Sequence, residues 1–132
     1  MRVTELKRLA LATVLLGAAT WASGADFDGS KALICATVDA HACDPGEVCL
    51  RDLPAGFGVP QFMNVNFAKK TIAGSKRSTE IRSIEKTSDQ VLMQGNELGY
   101  GWTVVLDQDG SMSMTLVNNQ EVLVVFGYCT PQ

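Results

Sequence analysis

The sequence predicts a mostly β domain: a small antiparallel meander or barrel-like sheet held by two disulfides. Three observations carry that expectation. Apolar residues recur at every second position on both sides of a turn in GWTVVLDQDGSMSMTLV. Short apolar stretches separated by Gly, Asn, Asp and Ser fill the second half of the chain. Four cysteines follow a segment that reads as an export leader.

That leader opens the chain. Arg2, Lys7 and Arg8 precede an apolar stretch from Leu9 to Ala19, and small residues run from Ala22 to Ala25. A positive end, a short apolar middle and a small-residue exit predict a signal peptide over 1–25 and a single domain over 26–132. The expected cut follows Ala25, with Ala22 and Gly24 as alternative sites. The apolar stretch is shorter than the roughly 20 residues of a transmembrane helix, so the processed protein is expected not to span a membrane and to be periplasmic or secreted.

After the leader, GSKALICATVDAHAC fits two periods. Leu33, Ile34, Thr37, Val38, His41 and Ala42 share a helical face behind a Ser30 cap, whereas Ile34, Ala36, Val38 and Ala40 alternate as in a strand. The cap tips the reading to one short N-terminal helix. DPGE reads as a turn, and LRDLPAGFGVPQ, with two prolines and two glycines, as a loop. FMNVNF alternates through Met63, Val65 and Phe67, TIA is a short strand, and STEIRSIEK and QVLMQG are two strands joined at Thr87-Ser88-Asp89.

The hairpin that follows can be read to its register. A two-residue turn at Asp109-Gly110 would set Leu106 opposite Ser113 and scramble the apolar face. A three-residue loop, Gln108-Asp109-Gly110, pairs Leu106 with Met112, Val104 with Met114 and Trp102 with Leu116. That loop ends in a left-handed residue, which Gly110 supplies. Asn118-Asn119 then turns into EVLVVFGYC, whose unbroken apolar run from Val122 to Phe126 predicts a strand covered on both faces. In all, six or seven strands are expected, lipocalin-like in style. Met63, Phe67, Met93, Trp102, Met112 and Met114 are bulky enough to fill the interior of so short a chain.

Cysteine chemistry depends on compartment. Outside the cytosol four thiols in a domain of 107 residues read as two disulfides. Of three connectivities, the favoured one joins Cys43 to Cys49 across the DPGE turn and Cys35 to Cys129, with the front segment as a lid on the last strand. A zinc site of Cys35, His41, Cys43 and Cys49 has suitable ligand types but lacks the paired short spacings of structural zinc sites. DQDG lacks the later glutamate of a calcium loop. No serine elbow or Cys-His motif surrounds His41, the one histidine, so no enzyme, metal or cofactor is expected.

Charge narrows the partners. The full chain is -3, and without the leader, which is net positive, the rest is -5, which argues against nucleic acid. The basic residues are gathered: Lys69, Lys70, Lys76, Arg77, Arg82 and Lys86 lie in one segment with only Glu80 and Glu85. That segment, together with Tyr100 and Trp102 as an aromatic platform, is the candidate binding surface.

DFDGSKALICA, GYGWTVVLD and VVFGYCTP resemble patterns in a group of small exported proteobacterial proteins without an established role. The resemblance implies an envelope or periplasmic location and names no active site. The expected function is non-covalent binding of a small apolar or anionic ligand, or of an anionic envelope component, at the mouth of the sheet or at the basic segment. The alternative is a factor directed at another exported protein, such as a hydrolase inhibitor, acting through the loop Asp44 to Pro60. A hydrolytic enzyme is the least supported reading.

Overall fold

The computed structural model describes residues 25–132. The leader reading therefore lies outside the described residues except for Ala25. The described chain forms one antiparallel sheet of ten strands: β1 (Leu33–Cys43), β2 (Leu50–Asp52), β3 (Phe62–Asn66), β4 (Thr71–Ala73), β5 (Ser78–Glu80), β6 (Ser83–Lys86), β7 (Gln90–Glu97), β8 (Tyr100–Asp107), β9 (Ser111–Val117) and β10 (Val122–Pro131). Along the sheet the order is β5-β4-β3-β1-β10-β9-β8-β7-β6, with β2 beside β1.

This order makes the sheet curl. β5 and β6 stand at opposite edges, yet only Ile81 and Arg82 separate them. Three residue steps span at most about 10 Å, so the edges must come together into a half-barrel. The bend is bonded to both sides: Ile81 N–H donates to the Lys70 carbonyl (2.9 Å) and Arg82 N–H to the Gln94 carbonyl (2.8 Å). STEIRSIEK is therefore two strands that share one direction and change partner at Ile81, not one. Its apolar residues Ile81 and Ile84 are three apart because the bend breaks the alternation.

The β8–β9 hairpin has the expected register: Leu106 faces Met112, Val104 faces Met114 and Trp102 faces Leu116. Gly110 takes φ +87°, a conformation that costs a residue with a Cβ. Gly95, opposite Trp102, leaves room for the indole: a Cβ there would fall 2.3 Å from the ring. Trp102, Met63, Phe67, Met93, Met112 and Met114 are all buried, so side chains fill the interior as the sequence predicts.

The expected helix over the front segment is instead β1. Leu33, Cys35 and Thr37 point inward, and then a bulge between Thr37 and Asp39 shifts the phase so that Ala40 is the next buried residue. Inward residues at 33, 37 and 40 imitate helical spacing, which hid the strand. The loop after Cys49 likewise contains β2 and a 3-10 turn, Pro54–Phe57. β10 also corrects an expectation. Leu123, Val125, Gly127 and Cys129 are buried, while Phe126 and Tyr128 are exposed, so only one face is fully covered. The front segment is its neighbour in the sheet rather than a lid over it.

Both disulfides have the expected connectivity. Cys35 and Cys129 are directly opposed residues of β1 and β10, 94 apart in sequence, whereas Cys43–Cys49 closes six residues at the other end of β1.

Candidate functional site

Beyond the bend at Ile81, β6 runs as an edge strand, with β7 on one side and no strand on the other. Facing that free side is the Phe67–Lys70 turn between β3 and β4. Between them opens a cleft of about 600 Å³. Phe67, Ile81 and Ile84 supply its apolar lining, and Lys70, Arg82 and Lys86 its charge. Gly29 and Ser30 close one side, where Lys86 Nζ donates to the Gly29 carbonyl (3.3 Å).

The three cations are not neutralised. No carboxylate lines the cleft, and none of the ion pairs among the described residues includes Lys70, Arg82 or Lys86. The carboxylate nearest to Lys86 in effect is Asp28. Its pKa lies below the usual 3.8, first through hydrogen bonds from Ser30 and then through the charge of Lys86.

Backbone geometry helps to place Lys70, which has φ +53°. Left-handed backbone is unfavourable for a lysine by about 1 kcal/mol, so the tight turn that sets this side chain at the lip is held by its surroundings. Those include Lys70 N–H donating to the Phe67 carbonyl (3.3 Å) and the bond from Ile81.

The other expected surface residues separate. Lys69 is exposed in the turn beside Lys70, its N–H bonded to Asn66 Oδ1 (2.9 Å). Lys76 and Arg77 lie in the β4–β5 turn at the other end of β4, and Arg77 pairs with Glu97 at 3.2 Å. Trp102 is a core residue, 5 % exposed, with its N–H directed at Thr79 Oγ1 (3.3 Å), which removes it from the binding surface. Tyr100 donates its hydroxyl to the Glu121 carboxylate, and that bond holds the phenol above its usual 10.0. Neither aromatic lines the cleft.

Ile81 and Ile84 were legible only as strand residues and Phe67 as an interior one, because what makes them a site is the partner switch at Ile81. His41 sits on the outer side of β1, 3.4 Å from Asp39 and edge-on to Phe126 at 6.4 Å between ring centroids. No cluster of three metal-ligating side chains occurs among the described residues, and no described helix is long and apolar enough to cross a membrane.

At the opposite end of β1 the Cys43–Cys49 loop stands out from the sheet. Val48, Leu50 and Leu53 are 88 %, 69 % and 68 % exposed. The described structure thus offers a charged cleft at one end and, at the other, a disulfide-closed loop with exposed Val48, followed by exposed Leu50 and Leu53. Comparison of the chain with protein-family models, with curated proteins and with solved structures finds no match.

Proposed function

We propose that this chain is an exported binding protein whose cleft between β6 and the Phe67–Lys70 turn holds an anionic amphiphile, a molecule with a phosphate or carboxylate group and an apolar portion. One observation carries the reading: three unpaired cations, Lys70, Arg82 and Lys86, converge above an apolar floor in a chain that is otherwise acidic. Cations outside any ion pair are open to charge-assisted bonds with an incoming anion. Phe67, Ile81 and Ile84 take the apolar part, as in ligand sites where a few polar groups fix orientation over an apolar lining. Two disulfides and no free cysteine accord with an oxidising compartment. The reading is one of binding, because the cleft presents cations and hydroxyls to an incoming anion.

Calorimetry separates the two contributions. Dodecyl phosphate is expected to bind, with affinity falling as salt rises, whereas the uncharged dodecyl maltoside and inorganic phosphate each bind at least tenfold more weakly. Arg82→Gln or Lys86→Gln should each weaken dodecyl phosphate by about tenfold, the worth of one charge-assisted bond. Equal binding of the charged and uncharged detergents, or no heat with either, contradicts the proposal.

A second reading is favoured by exposed Val48 on the disulfide-closed loop and exposed Leu50 and Leu53 just beyond it: insertion of this end into another exported protein. A rigid loop bearing apolar side chains suits a protein partner more than a small ligand.

A further inference from the structure

The outer wall of the sheet is nearly free of charge. Across β1, β3, β7, β8, β9 and β10 the only Asp, Glu, Lys or Arg residues are Asp39, Glu97 and Asp107, and the last two end their strands. The charges of the chain are concentrated in turns, in β2 and in the β5–β6 segment. On the β3-β1-β10-β9 part of this wall stand Ile34, Val38, Phe62, Phe126 and Tyr128, each between 38 % and 63 % exposed. Together they present on the order of 500 Å² of apolar side chain, at the upper end for a surface with no partner.

Register arranges them further. Phe62 is paired with Ala36, Ala36 with Tyr128, and Tyr128 with Ser111, so one row across four strands reads large, small, large, small. At about 4.8 Å between strands, the two rings stand about 10 Å apart with a notch between and another beyond. A copy of the same row, turned by a two-fold axis and displaced by one strand, sets each ring in the other's notch.

We infer that this wall is an association face for a second copy of the chain. An isologous contact brings each patch against itself; the row through Phe62, Ala36, Tyr128 and Ser111 has no charge to oppose, and Asp39, opposite Phe126, is paired with Arg51. With the Ser, Thr and Asn residues around the rings, the area approaches the roughly 800 Å² per partner of a standard interface. A lipid bilayer is the poorer occupant, because Ser111, Ser113, Thr115, Thr130 and Asn64 on the same strands would lose water without gaining partners. The face is separate from the cleft, so the two proposals stand or fall independently.

Sedimentation velocity on the oxidised protein at up to about 100 μM tests this, since a standard interface should reach at least micromolar affinity. A dimer is expected. Ala36→Lys, which fills the notch that takes the other copy's Tyr128, and the double variant Ala36→Lys with Tyr128→Lys, which sets lysine against lysine, should each weaken it by at least about a hundredfold. Ser111→Lys makes the same test in the second notch if Ala36→Lys does not fold, with folding read from the emission of buried Trp102. Gln94→Lys, on β7 beyond the face, should leave the dimer intact. A monomeric wild type, a dimer that survives the three facing lysines, or equal loss with Gln94→Lys overturns the assignment. So does flotation of the protein with neutral phospholipid vesicles in place of a dimer.

Discussion

The two ends of β1 are finished in opposite ways. Near its start, Cys35 is buried and bonded across the ladder to Cys129 of the last strand, and the neighbouring turn presents cations over an open cleft. At its far end, Cys43 is bonded to Cys49 six residues on, and the loop so closed exposes Val48 and, just beyond it, Leu50. One disulfide joins the first strand to the last and so holds the sheet; the other shapes a surface loop. The difference teaches that equal sulfur chemistry at two ends of one strand does unequal work, structural at the cleft end and local at the loop end.

Removing the bonds separately breaks this comparison open. The chain-entropy relation gives about 4 to 5 kcal/mol for the 94-residue closure and about 2 kcal/mol for the six-residue one. The double variant Cys35→Ala with Cys129→Ala should therefore lose about twice the stability of Cys43→Ala with Cys49→Ala in urea unfolding. It also loses buried contacts that the loop pair does not make. Equal losses would mean that both bonds act only locally.

A smaller effect sharpens the contrast between the ends. Each has one non-glycine residue in left-handed backbone: Lys70 at φ +53° by the cleft, and Leu98 at φ +48° beside Gly99 in the two-residue β7–β8 turn. Asparagine tolerates that conformation better, so Lys70→Asn and Leu98→Asn should each raise stability by up to about 1 kcal/mol. Only Lys70→Asn should weaken dodecyl phosphate. If both variants bind as the wild type does, Lys70 does not serve the cleft.

The smallest effect is electrostatic. Arg51 of β2 donates to Asp39 of β1 at 2.8 Å and, with His41 nearby, holds the Asp39 carboxyl below its usual 3.8. A lowered folded-state value means that the pair's contribution is complete above pH 3.8 and is lost as pH falls through the folded-state value. Hydrogen exchange at Ala40 to Ala42 should rise only below pH 3.8, while the cleft end stays protected. Loosening already near pH 6 would exclude Asp39 as the group responsible.

Much of this architecture was legible where side chains repeat at a single period. The β8–β9 register followed from keeping Trp102, Val104 and Leu106 on one face with Met112, Met114 and Leu116. Two disulfides followed from compartment and cysteine count, and the DPGE turn between Cys43 and Cys49 favoured the observed pairing among three. What stayed hidden lies where the chain departs from a simple period. The bulge after Thr37 made β1 look helical, and the partner switch at Ile81 split one apparent strand into two. That switch also decides the site. Six basic residues fall within one segment, Lys69 to Lys86, but the return of β4 and β5 sends Lys76 and Arg77 away and leaves Lys70, Arg82 and Lys86 together. Trp102 read as either platform or core, and only the turn of β8 toward the interior distinguishes them.

The most direct test of the central claim follows backbone amide resonances of the oxidised protein while dodecyl phosphate is added. The account predicts shifts at Gly29 and Ser30, at Phe67 to Lys70 and from Ile81 to Lys86, with those of Cys43 to Leu53 unmoved. Shifts confined to the Cys43–Leu53 end, or spread evenly over the outer wall, would contradict it.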